Sequence, residues 1–93
     1  MRRELIRSSA FVRAARRYLK RRPQAMDALR HTLERLEQDA FDPRLKTHKL
    51  TGHLAATWAC SGGYDLRVLF DFVEHEGRPA ILLLTVGTHD EVY

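Results

Sequence analysis

The sequence predicts an α+β fold in which an N-terminal strand and a helical hairpin pack on a mainly antiparallel sheet of four to five strands. Three observations lead to this prediction. The chain has 93 residues, which suits one domain over residues 1–93. Its first half has helical periodicity, and from Leu45 onward the pattern changes to strands separated by turns. Helices and strands that are segregated along a chain in this way are typical of α+β proteins.

The first half predicts one strand and two helices. A short strand over residues 3–8 precedes a helix that starts after a cap at Ser8 or Ser9 and runs to about Arg22. Pro23 ends that helix and suits the first turn of a second helix, which extends to about Asp39. The residues expected to be buried recur at helical spacing in both: Phe11, Ala14, Ala15, Tyr18 and Leu19 in the first, and Met26, Leu29, Leu33 and Leu36 in the second.

The second half predicts four further strands, over residues 45–50, 53–60, 64–74 and 80–86. Turn residues separate them at Thr51-Gly52, Ser61-Gly62-Gly63 and Glu76-Gly77-Arg78-Pro79. Strand 64–74 alternates clearly, with one face formed by Leu66, Val68, Phe70 and Phe72 and the other by Asp65, Arg67, Leu69 and Asp71. Residues 80–86 are apolar on both faces, as in a central strand. Residues 87–93 are expected to form a short polar tail.

Charge is distributed unevenly along the chain. Residues 1–22 hold nine of the sixteen Lys and Arg residues and only one acid, Glu4, although the net charge of the whole chain is only +4. A basic segment of this kind favours a polyanionic partner or an acidic protein, with a solvated Arg-rich helix as the alternative. The single cysteine excludes an intramolecular disulfide, and the longest apolar run, 80–84, is far below the ~20 residues of a membrane helix. We therefore expect a reduced cytoplasmic protein without a membrane segment.

Five histidines raise the question of a metal site. Zinc ligands usually come in closely spaced pairs, whereas His48 and His53 straddle a turn and Cys60 stands alone. The spacing therefore does not favour a metal site, and we expect Cys60 to be a small buried residue.

A different set of polar residues falls at strand ends and in the tail: His48, Asp65, Arg67, His89 and Tyr93. Imidazoles exchange protons near neutral pH, and an arginine can stabilise the charge of a phosphorus-centred transition state. These residue types suit metal-free RNA cleavage, in which the neighbouring 2′-OH attacks the phosphate. Solvated side chains on a half-exposed sheet face are the alternative.

Three segments carry a family resemblance: His48-Lys49-Leu50-Thr51-Gly52, Gly63 to Phe70, and Gly87-Thr88-His89-Asp90-Glu91-Val92-Tyr93. Their order and spacing resemble the RelE/ParE superfamily of bacterial type II toxins, in particular the RelE/StbE branch that contains YafQ-like toxins. The likeness covers nearly the whole chain and implies a RelE-like fold. It also implies a ribosome-dependent mRNA endonuclease, acting without a cofactor, that a cognate antitoxin neutralises.

The resemblance also implies roles for individual residues. His48 and His89 would act as general base and acid, Asp65 would orient them, Arg67 would hold the scissile phosphate, and Tyr93 would stack on or position the substrate. Binding of mRNA and the 70S ribosome is expected from exposed basic residues, namely Arg13, Arg16, Arg17, Lys20, Arg21, Lys46 and Lys49. The expected antitoxin is RelB- or DinJ-like, with an acidic or partly disordered segment.

The chain departs from the YafQ-like pattern at two places. Residues 59–62 lack a second histidine, and Thr85 stands where an arginine precedes the Gly-Thr-His segment. These departures keep open a catalytically weakened toxin that acts mainly as an antitoxin-binding module. A ParE-like inhibitor of DNA gyrase is a further alternative, against which the retained His48, Asp65 and His89 argue. We expect Trp58 to pack on the helices, with base stacking as the alternative.

Overall fold

The fold is α+β, as the sequence predicts. A computed structural model describes residues 1–52 and 56–93. Within these ranges the chain forms five strands and three α-helices: β1 (Glu4–Arg7), α1 (Ser9–Arg21), α2 (Met26–Gln38), β2 (His48–Lys49), β3 (Trp58–Ser61), β4 (Arg67–His75), β5 (Arg78–Gly87) and α3 (His89–Val92). Short 3₁₀ turns, Pro23–Ala25 and Pro43–Leu45, precede α2 and β2. None of the helices in these ranges has the length and apolar character to cross a membrane.

The five strands form one sheet in the order β1-β5-β4-β3-β2. β1 is parallel to β5, and the other neighbouring pairs are antiparallel. β5 is therefore an interior strand, which confirms the interpretation of its apolar sequence. The hairpin between β4 and β5 turns at Glu76 and Gly77, both with positive φ (52° and 75°), as a two-residue type I′ turn requires.

α1 and α2 cover one face of the sheet, and the core lies between these helices and the sheet. Ser8 caps α1, because its side-chain oxygen accepts a hydrogen bond of 3.0 Å from the Phe11 amide. The alternation predicted for residues 64–74 is confirmed on the helix-facing side of β4, where Val68 and Phe70 are fully buried. The main contributors to the core are Phe11, Ala14 and Tyr18 of α1, Leu29, Leu33 and Leu36 of α2, and Leu66, Val68, Phe70, Ile81, Leu83 and Val86 of the β4–β5 region.

One predicted core residue is exposed. Met26 is 55% exposed, whereas the preceding residue, Ala25, is fully buried. The reason is that the 3₁₀ turn Pro23–Ala25 comes before the helix and brings Ala25 into the core, so Met26 starts α2 on its outer side.

Three strand predictions are only partly right. The expected strand 45–50 shrinks to β2, because Asp42 caps the 3₁₀ turn before it and Lys46 then takes a left-handed conformation (φ 52°). The expected strand 53–60 is described from residue 56 onward and is extended from Trp58; residues 53–55 lie outside the described ranges. The expected strand 64–74 begins at Arg67, since the two residues at 64 and 65 form a turn.

The tail prediction for residues 87–93 is wrong, because His89–Val92 form the helix α3. Thr88 and Glu91 build a capping box: the Thr88 side chain accepts from the Glu91 amide, and the Glu91 carboxylate accepts from the Thr88 amide at 2.8 Å. A Thr followed three residues later by Glu is a recognised start signal for a helix, so the sequence did contain the information.

Candidate active site

A strained turn between β3 and β4 presents the first candidate residue. Leu66 donates its amide to the Gly63 carbonyl at 3.0 Å, and the two central residues, Tyr64 and Asp65, have φ of 59° and 53°. This is a type I′ turn, the geometry that matches the twist of a hairpin. Neither central residue is glycine. The left-handed conformation costs Tyr64 roughly 1–2 kcal/mol, whereas an aspartate adopts it more readily. The turn places Asp65 just before β4, at the end of the sheet.

Asp65 joins two other candidate residues. Its Oδ1 lies 3.5 Å from the backbone nitrogen of His89, which donates to it, and 3.6 Å from Nη1 of Arg67. The same guanidinium nitrogen donates to the Leu66 carbonyl at 3.1 Å. The Arg67 side chain is 26% exposed, so the guanidinium is held in place and still reaches solvent. One carboxylate therefore connects the start of β4 with the start of α3.

The short helix α3 brings His89 and Tyr93 together. Their rings are one helical turn apart and meet edge to face, with 4.7 Å between centroids. Partial burial raises the pKa of the Tyr93 phenol, and the nearby Arg67 charge acts in the opposite direction. The phenol is therefore neutral and able to donate a hydrogen bond at neutral pH.

His48 lies on the same face of the sheet but at a distance from this group. It is opposite Ala59 on β3, which in turn is opposite Leu69 on β4, and directly opposed residues share a face. Arg67 lies two residues from Leu69 on that face. Strand spacing and rise put the Cα atoms of His48 and Arg67 roughly 12 Å apart. The Lys46 carbonyl lies 2.9 Å from His48 Nδ1 and fixes the direction of the ring.

The structure therefore brings together four of the five predicted residues, Asp65, Arg67, His89 and Tyr93, and places His48 across β3 from them. Both departures from the YafQ-like pattern, the segment 59–62 and Thr85, place a residue on this face. Ser61 is directly opposite Arg67, and Thr85 is directly opposite Leu69.

Comparison with solved structures identifies the architecture. YafQ from E. coli strain BL21(DE3) superposes with a TM-score of 0.77 over 98% of both chains at 14% sequence identity. YafQ in the E. coli DinJ-YafQ toxin-antitoxin complex gives 0.75 over 100% of this chain and 99% of the other, at 15% identity. A YoeB/ParE toxin from Agrobacterium tumefaciens gives 0.72 over 92% of this chain and 98% of the other, at 10% identity. This chain has the RelE/YafQ-like toxin fold. No protein-family model and no curated protein sequence matches it.

Trp58 and Cys60 lie on the helix side of the RelE-like sheet. Trp58 is opposite Phe70, and its ring packs edge to face against Phe41 and Phe72, with centroids 5.7 and 5.1 Å away. Trp58 therefore packs against the core, on the other side of the sheet from Arg67, as expected of a packing residue. Its aromatic partners, however, lie in the loop after α2 and on β4 and not on the helices. Cys60 is fully buried, and burial raises the pKa of its thiol to about 12, which confirms it as a core residue.

The basic residues of α1 form an exposed stripe, which we call the α1 basic face: Arg13, Arg16, Arg17, Lys20 and Arg21. Their spacing places them along one side of the helix. Within residues 1–52 and 56–93, none of them takes part in an ion pair. Lys46 and Lys49 are exposed on either side of His48. These surfaces carry positive charge that internal acids do not neutralise.

The described residues contain no group of three or more His, Cys, Asp or Glu side chains arranged to hold a metal ion. His53, considered in the sequence as a ligand, lies outside the described ranges.

Sequence reasoning missed two residues that contact the site from α1. The Tyr18 hydroxyl donates to the Tyr64 carbonyl at 2.6 Å, and Nη2 of Arg22 lies 3.9 Å from Glu91 Oε1 of α3. Tyr18 is 46 positions from Tyr64, and Arg22 is 69 positions from Glu91. No local pattern reports contacts between positions so far apart.

Proposed function

We propose that this chain is the toxin of a bacterial type II toxin–antitoxin pair and that it cleaves mRNA. The observation that carries the proposal is the convergence of Asp65, Arg67, His89 and Tyr93 at one end of the sheet. This convergence occurs in a fold shared with YafQ structures, one of them in complex with the antitoxin DinJ.

The proposed reaction is a transesterification within RNA. A general base removes the proton of a ribose 2′-OH, whose oxygen then bonds to the neighbouring phosphorus. The 5′-oxygen leaves as the P–O bond breaks and takes a proton from a general acid, giving a cyclic phosphate and a free 5′-OH. We assign the two proton transfers to His89 and His48, because His89 adjoins Asp65 and His48 lies across β3 from Arg67 on the same face of the sheet.

Arg67 stabilises the charge that develops on the phosphate oxygens. Its guanidinium is already oriented by the Leu66 carbonyl and Asp65, so little further ordering is required when the phosphate binds. Guanidinium–phosphate bonds are charge-assisted and strong. Tyr93, which contacts the His89 ring, positions that imidazole and presents a neutral phenol to the substrate.

The α1 basic face provides contacts to RNA that do not depend on sequence. Five exposed positive charges along one helix side suit a phosphate backbone, including that of ribosomal RNA. Binding of this type weakens steeply as salt rises. The same charges suit an acidic, partly disordered antitoxin segment that folds on binding, which would block RNA access.

The test is controlled expression in bacteria without an antitoxin, with protein synthesis measured by labelled amino-acid uptake and mRNA cleavage by primer extension. We expect rapid loss of protein synthesis and discrete mRNA cuts from the unaltered chain. In His89→Ala, cleavage should fall by about 10²–10⁴-fold, the usual contribution of a general acid or base. His31→Ala is the matched control, because His31 is also an exposed helical histidine but lies on α2.

The likeness to a YoeB/ParE toxin favours a second candidate function, inhibition of DNA gyrase. In a ParE-like gyrase inhibitor, DNA synthesis stops first, transcripts stay intact, and His89→Ala is as toxic as the unaltered chain. That result contradicts the nuclease proposal. Absence of toxicity from the unaltered chain contradicts both and leaves an antitoxin-binding module.

A further inference from the structure

Tyr18 carries a hydroxyl that core packing does not explain. The residue is 1% exposed and lies in the core formed by α1 and the sheet. Its hydroxyl nevertheless reaches the Tyr64 carbonyl, at 2.6 Å. Burial raises the pKa of this phenol, with the nearby Arg22 charge acting in the opposite direction, so the group remains a hydrogen-bond donor over the neutral range. A phenylalanine would fill the same space without making this bond.

The bonded carbonyl belongs to the central peptide of the strained turn. That peptide joins Tyr64 and Asp65, so its orientation sets ψ of the first residue and φ of the second. Both residues hold positive φ without being glycine. For Tyr64 such a conformation persists only where the surroundings hold it. The Tyr18 hydroxyl provides one fixed, buried point that holds the turn.

This turn also sets the position of the Asp65 carboxylate. With the observed backbone, Oδ1 lies 3.5 Å from the His89 nitrogen and 3.6 Å from Arg67 Nη1. Rotation of the central peptide changes φ of Asp65 and moves the carboxylate away from both groups. The contact between α3 and the start of β4 therefore depends on a hydrogen bond made from α1.

Arg22, the residue that follows α1, contacts α3 directly. Arg22 places its guanidinium carbon 4.5 Å from the centre of the Tyr18 ring. It also lies 3.9 Å from Glu91, the residue that closes the capping box of α3. The end of α1 thus contacts both segments that carry candidate catalytic groups.

We propose that Tyr18 is a positioning residue for the candidate active site: its buried hydroxyl holds the Tyr64–Asp65 turn so that Asp65 orients His89 and Arg67 for RNA cleavage. This inference rests on the proposed function for its catalytic part. Its structural part, the dependence of the Asp65–His89 contact on the Tyr18 hydroxyl, stands independently of any activity.

The test compares Tyr18→Phe with Ile81→Val, a matched core substitution at the other end of the sheet. Ile81 is fully buried and pairs with Leu5 and Phe72, far from the Arg67–Gly87 pair. We expect both substitutions to lower the stability of the fold. A difference between the two variants in the amide signals or in kcat therefore reports a specific role of the Tyr18 hydroxyl. Two quantities are measured on the full chain: the ¹⁵N-amide shifts of Asp65 and His89, and kcat and KM for cleavage of ribosome-bound mRNA.

We expect Tyr18→Phe to shift both amide signals and to lower kcat roughly tenfold with KM unchanged, the loss of one well-placed hydrogen bond. Ile81→Val should leave both signals and kcat as they are. Unshifted amide signals with an unchanged kcat in Tyr18→Phe overturn the inference. If the unaltered chain cleaves no RNA, the proposed function fails, and the amide signals alone decide whether Tyr18 positions the turn.

Discussion

Replacing Gly62 with alanine should destabilise the fold through a clash with buried side chains. A Cβ atom at this position would lie 2.3 Å from Thr32 Oγ1 and 2.8 Å from Leu66 Cδ2. Both neighbours are enclosed, at 1% and 0% exposure. Thr32 cannot simply turn away, because its hydroxyl donates to the Ala28 carbonyl at 2.7 Å. The new methyl group must therefore break that bond or displace Leu66 in the core.

The size of the stability loss in Gly62→Ala follows from these contacts. Extra carbon in a packed core costs about 1–3 kcal/mol, and loss of the Thr32 hydrogen bond adds about 1 kcal/mol. A total of about 2–4 kcal/mol lowers the urea midpoint by roughly 1–2 M at an m-value of about 2 kcal/mol/M, the middle of the usual range. Trp58 is the single tryptophan and lies against the core, so its fluorescence reports the unfolding transition.

The adjacent glycine provides the control. At Gly63 the nearest atom to an added Cβ is the Ala28 Cβ at 3.8 Å, an ordinary contact. Gly63→Ala should therefore be neutral, or more stable by about 0.4–1 kcal/mol through a less flexible unfolded chain. In addition, combining Gly62→Ala with Thr32→Ala should recover part of the loss. A free energy of unfolding for Gly62→Ala within about 0.5 kcal/mol of that of the unaltered chain would contradict the predicted clash.

Three further predictions concern acid stability, thiol reactivity and α3. The Arg44 side chain is hydrogen-bonded to Asp42 and lowers the pKa of that carboxyl from 3.8 to about 2. The ionised Asp42 therefore stabilises the fold fully above pH 3.8, and this stabilisation is lost as the pH falls through about 2. Asp42→Asn should reduce the drop in Tm between about pH 5 and pH 2, and an unchanged drop contradicts this. Cys60 should react with iodoacetamide only after urea unfolding, because its buried thiol has a pKa of about 12; rapid labelling of the folded protein contradicts this. Thr88→Ala removes the N-cap of α3 at a cost of about 1 kcal/mol, so hydrogen exchange of the Val92 amide, which bonds to the Thr88 carbonyl, should accelerate severalfold. Unaltered exchange of that amide argues against the capping role.

Local periodicity was sufficient to predict the main elements of the fold. The face of α1 that carries Phe11 and Tyr18 and the alternation of Val68 and Phe70 in β4 follow from residue spacing alone, because both elements bury one side. The extent of β2 could not be predicted in the same way. A left-handed Lys46 and a 3₁₀ turn shorten it, and these depend on the chain around them.

The candidate site could likewise be predicted from the sequence only in part. Motif spacing selected Asp65, Arg67 and His89, and these residues do meet. Spacing did not indicate that His48 is separated from them by β3, since strand order is a property of the whole sheet. Nor did it separate Tyr18 from the other core residues, because the partner of its hydroxyl is distant in sequence.

The parallel pairing of β1 with β5 has a consequence for synthesis of the chain. Glu4 pairs with Ala80 and Arg7 with Leu83, so the first strand has no partner until the fifth has left the ribosome. Contacts between such distant parts of a sequence close late and slowly during folding. α3 follows β5, so the proposed catalytic group cannot assemble on a partly made chain. Under the proposed function, RNA cleavage therefore begins only after the chain has been synthesised through α3, and the interval before that is available to the proposed antitoxin.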